Sequence, residues 1–504
     1  MLAACGGAGA TATTKTALAS RPAKGGSLKL GLPGGSSADT ITPGLGLADI
    51  DYSRIFALYD PLVWLDPTSA QIGYLLAESI TPDHGSLTRW VIKLRQGVHF
   101  HSGKLLTAED VIFSFRRILQ EKLPGKSPLA PIDLAGTRAL DSHTVLVQMH
   151  KPYGSFVEQL ASVSAYLPMV SASYTSSAKP DGTGPFVYQS FTRGQSSVFT
   201  RNPNYWLTGL PHVDTLTIID FPDTVSMADA LITGQIHGGG LFSGADMATL
   251  ASSGAGIRTV PSPSGSITPF TMRVDRPPFN DVNLRQAMRL IVDRPQMIDS
   301  ALDGFATVAS DVFSPYDTDF AKTLRRQADI PQAKFLLKKA GREDFTVTLT
   351  TSPVSTGTVA MATVLAEQAK AAGVTIDIRN VPPSVFFGDN YLKWPFSQDF
   401  YPYSTYLGQV AYSMLPVSPF NETHTDSAQY NKWYDEANAA TSDALRKEIL
   451  YDMQRFDFDQ GGYIIPAFID GLDAYSSKIG GYSADCRQGD PLSSWDFKQF
   501  YFKE

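Results

Sequence analysis

The chain has 504 residues, 43% of them hydrophobic and 11% aromatic, and its 49 acidic against 42 basic residues leave a formal charge of −7. A single hydrophobic core stops growing near roughly 250–300 residues, so more than one lobe is expected. There is no Lys/Arg block to mark a nucleic-acid footprint and no run near the ~18 apolar residues of a spanning helix, so nucleic acid is not an expected partner and the body is expected to be water-soluble.

The first element is "MLAACGGAGA", which holds Cys5, one of only two cysteines. The first thirty residues contain no His, Asp or Glu to complete a metal site. The other cysteine, Cys486 in "GYSADCRQGD", sits in a different setting, which disfavours a disulfide. Leu2, Ala3, Ala4 and Cys5 resemble the lipobox of bacterial lipoproteins, in which a diacylglycerol is joined to the cysteine sulfur. The basic and long apolar parts of a signal peptide are absent, so the chain reads as starting inside a trimmed signal. Residues 1–25, rich in Gly, Ala, Thr and Ser, read as a lipobox remnant and flexible tether.

Beyond the tether, "SLKLGL" alternates as a strand, "PGGSSADTITPG" is turn-rich, and "DIDYSRIFALYDPLVWL" (49–65) reads as helical. Short strands then dominate to about residue 190: "RWVIKLR" alternates through Trp90, Ile92 and Leu94, and "HTVLVQM" repeats the pattern. Between them Thr107 and Asp110 in "TAEDVIFSFRRIL" form a capping-box-like helix start. Later the character changes. "FTVTLTT" alternates through Phe345, Val347 and Leu349. "TVAMATVLAEQAKAAG" puts Met361, Val364 and Leu365 on one helical face and ends at Gly373, and "VTIDIRNV" alternates again, which makes a βαβ unit. Such units build open α/β sheets whose ligands sit outside the carboxyl ends of the strands.

Catalytic constellations are scarce. GxSxG and HExxH are absent, and "GVHFHSGKL" has the wrong spacing for a phosphate loop and Leu105 where a hydroxyl should meet magnesium. "GLGLAD" and "GTGPFV" lack the third glycine of a dinucleotide turn. His99 and His101 would share a strand face, but two ligands do not make a metal site. His424 stands alone. No catalytic residue, cofactor or metal is expected.

The segment "LLAESITPDHGSLTRWVIKLRQGVHFHSGKLLTAEDVIFSFRRIL" (75–119) closely resembles the signature of family 5 extracellular solute-binding proteins, the oligopeptide-, dipeptide- and nickel-binding receptors of ABC importers. The likeness resumes in family order at "GTGPFVYQSFTRGQSSVFTRNPNYW" (182–206), "ADALITGQIHGG" (228–239), "PPFNDVNLRQAMRLIVDRPQMIDSALDGF" (277–305) and "PQAKFLLKKAG" (331–341), and runs on to "GGYIIPAF" and "DAYSSKIGGY". Much of it is structural: Leu284, Ala287, Met288 and Ile291 make one helical stripe.

The resemblance implies an α/β, two-lobed, Venus-flytrap fold of the periplasmic-binding-protein kind, with an extra inserted domain in the first lobe. Lobe one would be discontinuous (26–58, 188–265 and 477–504), the insert 59–187 and lobe two 266–476. Hinges would lie near "SPSGSITPF" and "PAFIDGL". It also implies a lipid-anchored, extracytoplasmic monomer without enzymatic activity, which binds a peptide or other amine-bearing solute and serves an ABC permease and its ATPase. The alternatives are a nickel-chelate or metallophore receptor on the same fold and, less favoured, a hydrolase. In "WPFSQDFYPYSTYLGQ", Asp399 falls where peptide-binding relatives place an acid that pairs with the ligand's amino group. Trp394, Tyr401, Tyr403 and Tyr406 are the expected walls and Asn421 a polar contact. The sequence departs from the family where Tyr-Pro-Tyr replaces an acid-proline continuation, and where "TTSPVSTGT" lacks the arginine that holds a dipeptide's carboxylate. A longer peptide or another amine therefore fits better than a short zwitterion.

Overall fold

The computed structural model describes residues 22–35, 39–46 and 48–504, so Cys5 and most of the expected tether lie outside it. The largest sheet has eight strands. Its path runs Ile257–Ile267, Ala467–Ser476, Gly238–Gly239, Ser27–Pro33, Thr215–Phe221, Ser196–Arg201 and Phe186–Thr192, with Ala306–Val308 beside Ala467–Ser476. Ser27–Pro33 lies near the middle, parallel to both of its neighbours, and its alternating Leu28, Leu30 and Leu32 are wholly buried in the core. That alternation is what the half-buried strand pattern requires.

A second sheet of five strands runs Thr375–Asn380, Thr346–Thr351, Phe396–Gln398, Phe270–Met272 and Tyr463–Ile464. Its edge is the expected βαβ unit. Thr346–Thr351 and Thr375–Asn380 pair in parallel, and helix Thr358–Lys370 between them buries Met361 and Leu365. The stripe Leu284, Ala287, Met288 and Ile291 of helix Val282–Ile291 enters the same core. Beside it Asp311, fully buried, accepts from both Nη2 of Arg294 at 2.9 Å and the Ile465 N–H at 2.9 Å, and Nε of Arg326 lies 2.7 Å away.

The third body is a four-stranded antiparallel sheet, Ala77–Asp83, Ser86–Leu94, Thr144–Met149 and Ile132–Asp141, with its own core under helix Ala108–Gln120. Asp110 accepts from the N–H of Thr107 at 2.8 Å and from its hydroxyl at 2.9 Å, which fixes the start of that helix. The helical reading of 49–65 is corrected. The helix stops at Leu58, Tyr59 is extended, and Val63–Leu65 is a strand paired with Ile72–Tyr74. Asp60 precedes Pro61, whose ring disfavours the α conformation in the residue before it and supplies no N–H.

Two features join the bodies. Gly182-Thr183-Gly184 passes so close to Leu58 that a Cβ on Gly182 would lie 1.9 Å from the Leu58 carbonyl oxygen. The antiparallel pair Ile257–Ile267 and Ala467–Ser476 leaves the eight-stranded sheet to meet Phe270–Met272 and Tyr463–Ile464 of the five-stranded one, with a register shift between Ser262 and Ser266. The chain crosses between the two sheets along this pair, which makes the fold two-lobed. Among the described residues no helix is long and apolar enough to cross a membrane.

Candidate functional site

A cavity of about 950 Å³ lies where the three bodies meet. Tyr52 and Trp495 border it from the eight-stranded side, Tyr166 from the four-stranded body, and Asp399, Tyr401 and Tyr412 from the five-stranded side. That volume is at the upper end of small-molecule sites and admits a short peptide.

Asp399 follows strand Phe396–Gln398 and is 2% exposed. It accepts from the Tyr391 hydroxyl at 2.8 Å and from the Phe400 N–H at 2.8 Å, and it pairs with no Lys or Arg among the described residues. Burial raises its carboxyl above the ordinary range, although both hydrogen bonds oppose the shift. Behind it Glu422, also 2% exposed, is pushed well up by burial and then by the Asp399 charge, and its Oε1 receives no donor. Of the two, Glu422 is held up the more strongly, because only the 3.4 Å contact from the Tyr401 hydroxyl relieves it.

Backbone pairing positions the neighbouring aromatics. Tyr401 exchanges N–H···O bonds of 2.9 Å with Ile267 on the crossing strand, and Tyr403 donates its N–H to the Gln488 carbonyl at 3.1 Å while its ring meets Tyr316 edge-on at 5.5 Å. A row of hydroxyls crosses the cavity, with Tyr52 to Tyr166 at 2.5 Å and Tyr166 to Tyr412 at 3.1 Å. On the far wall Trp495 stacks on Phe56 at 5.2 Å. It is held by a left-handed turn, Leu492–Trp495, with φ of 56°, 57°, 52° and 59°.

Of the residues expected to touch ligand, Asp399, Tyr401 and Tyr403 border the cavity, and Trp394, Tyr406 and Asn421 are not on its wall. Trp394 stacks on Phe386 and donates to its carbonyl at 3.2 Å. Tyr406, at the start of helix Tyr406–Ser413, turns into the core, donates to Asp457 at 2.6 Å and stacks on Phe313. Asn421 spends its amide on the carbonyls of Leu415 and Thr425, both at 3.0 Å. His101 accepts from the Gly182 N–H and sets its other ring nitrogen 3.0 Å from the Gly184 carbonyl, so it braces that turn, while His99 lies against the Gly97 carbonyl. His424 contacts the Leu392 carbonyl at 2.7 Å. Cys486 is buried, its thiol pushed up to about 12 by burial. No group of three or more His, Cys, Asp or Glu that could hold a metal gathers among the described residues.

Sequence reasoning missed Glu422, Tyr391, Tyr52, Tyr166, Tyr412 and Trp495. They come from distant segments, and the only local signal was the aromatic richness of the chain.

The family model for bacterial extracellular solute-binding proteins, family 5 middle, matches residues 71–437. The chain is 26% identical over 438 residues to the oligopeptide-binding protein AppA of Bacillus subtilis (strain 168), covering 79% of this chain and 78% of AppA. It is 27% identical over 327 residues to the glutathione-binding protein GsiB of Escherichia coli (strain K12), covering 63% and 62%. The ABC transporter-associated periplasmic binding protein DppA from Helicobacter pylori, solved with the peptide STSA, has the same fold: TM-score 0.82 at 20% identity, over 96% of this chain and 99% of that one. The chain belongs to the family 5 bacterial extracellular solute-binding proteins.

Proposed function

We propose that the protein closes two lobes on a peptide, or on an amine-bearing solute of similar size, and presents it to an ABC permease and its ATPase. Members of the family are extracytoplasmic substrate-binding proteins of ABC importers. One observation carries the choice of ligand: Asp399 is buried at the edge of the cavity with no cationic partner among the described residues. A carboxyl so placed is costly to ionise until a cation arrives. A ligand ammonium beside Asp399 would supply that charge, and Tyr401 and Tyr403 would flank the ligand's backbone or side chains. The described wall contains no arginine, which favours a longer peptide or another amine over a zwitterion clamped at both ends. Oligopeptides, glutathione and the peptide STSA are the ligands named for the relatives.

In this reading lobe one comprises 26–58, 188–265 and 477–504, with 59–187 inserted, and lobe two comprises 266–476. The hinges are the paired strands Ile257–Ile267 and Ala467–Ser476. The receptor works as a monomer, performs no chemistry, and is held at the membrane by a lipid on Cys5 and the tether of residues 1–25. Calorimetry with peptides of three to nine residues, free and N-acetylated, tests the ligand class. Capping should weaken binding at least about thirtyfold, since a desolvated charge pair loses one partner. Equal affinity of the capped and free forms refutes the assignment.

A further inference from the structure

The cavity carries a second set of acids. Asp49 opens helix Asp49–Leu58, Asp490 precedes the turn Pro491–Trp495, and both border the cavity. Neither carboxylate is paired with another side chain among the described residues; Asp49 is met only by its own backbone N–H. Burial raises both carboxyls, and each also responds to another acid: Asp490 to Asp49, and Asp49 to Asp473. The favourable position of Asp49 at a helix N-terminus accounts for one acid there but not for its company.

Two further polar atoms lack partners. Asp473, 7% exposed and close enough to raise Asp49, accepts from the Tyr475 hydroxyl and the Ser493 N–H through Oδ2 but has no donor to its Oδ1. Trp495, 6% exposed and on the cavity wall, has no acceptor for its Nε1–H. The ring of Trp495 is stacked on Phe56 and met edge-on by Tyr52 at 5.5 Å, and all three aromatics border the cavity. Carboxylates beside aromatic faces attract an alkylammonium or guanidinium, and a free indole N–H seeks a carbonyl oxygen. Asp49, Asp490 and Asp399 all border the one cavity, and the hydroxyl row Tyr52, Tyr166 and Tyr412 crosses it. The cations on the wall, Lys122 and Lys126, are exposed.

We propose that Asp49 and Asp490, walled by Tyr52, Phe56 and Trp495, form a second cation subsite, and that the ligand is a peptide carrying a basic side chain as well as a free amino terminus. The subsite gives the receptor its preference among peptides, and this assignment rests on the reading of Asp399 as the ammonium acceptor.

The test is calorimetry with a set of peptides of three to nine residues in which one position is lysine or its uncharged isostere norleucine, each free and N-acetylated. The wild type is measured against the Asp49→Asn/Asp490→Asn double variant. The wild type should prefer lysine at one position by at least about tenfold. The double variant should lose that preference while binding the norleucine peptide within about twofold of wild type. Both substitutions are isosteric and relieve like-charge repulsion, so an unchanged or raised melting temperature verifies folding. Free peptides that bind well but without lysine preference overturn the subsite and leave the Asp399 reading intact. A lysine preference that disappears in the double variant, with capped and free peptides binding equally well, supports the subsite and overturns the Asp399 reading. Failure of every peptide to bind overturns both.

Discussion

Replacing Asp399 by asparagine separates function from stability. The substitution preserves shape: the new amide oxygen can still accept from the Phe400 N–H, and the amide NH2 that replaces the other oxygen can donate to the Tyr391 hydroxyl oxygen. What disappears is a charge that the free protein holds at a loss. The Asp399 carboxyl is raised from 3.8 to about 7 by burial, so its neutral form is favoured by folding. The sign follows: the benefit of protonation is fully present below the unfolded value and is lost as pH rises toward 7. Asp399→Asn should therefore stabilise ligand-free protein by roughly 2–4 kcal/mol at pH 8, with the gain fading near pH 4. Binding of an amine ligand should move the other way, weakening at least about thirtyfold at pH 8. In the wild type, affinity should climb as pH rises to 7 and then level off, because the ligand selects the ionised carboxyl. Thermal melts from pH 4 to 8 and calorimetry over the same range are the assays. A variant that is less stable at every pH, or that binds like wild type, refutes the argument and makes Asp399 a structural carboxylate.

Asp311→Asn should lower stability by about 3–5 kcal/mol in denaturant titration, because it leaves the buried guanidinium groups of Arg294 and Arg326 without a counter-charge. Gly182→Ala should cost about 3 kcal/mol and lower the melting temperature, since its Cβ would meet the Leu58 carbonyl and that backbone cannot swing aside. Cys5→Ser, expressed with a full native signal, should move the protein from the membrane to the soluble fraction, because the body's charge of −7 gives little affinity of its own.

Local signals carried the scaffold well. Alternation in Ser27–Pro33 was legible because a buried face imposes a two-residue period, and the strands flanking Thr358–Lys370 follow it only in part: Leu349 and Ile376 are buried, whereas Ile378 is exposed. The Thr107 and Asp110 cap was legible because its partners are three residues apart. Of the cavity wall, Asp399, Tyr401 and Tyr403 were legible, through family likeness. Nearness in sequence then misdirected the choice of neighbours. After the short strand Phe396–Gln398 the chain turns into helix Tyr406–Ser413, which sends Tyr406 to Asp457 in the core. The cavity's other walls come from residues far along the chain, such as Tyr52 and Trp495, and no period or motif links them to Asp399.

The bonds across the cleft bear on how the receptor signals. Gly154 and Ser155 are tied to the Asn438 carbonyl and side chain, Gln159 donates to the Leu407 carbonyl at 2.7 Å, and Arg446 pairs with Glu158 at 2.5 Å. None of these contacts needs a solute. A ligand shifts an open–closed equilibrium only by its differential affinity for the two shapes, so built-in fastenings shrink the shift it must supply. The gain is tighter apparent capture from dilute surroundings. The cost is a larger resting population of empty, closed receptors that compete with loaded ones for the importer, so at high receptor density transport should slow as more of this protein is made.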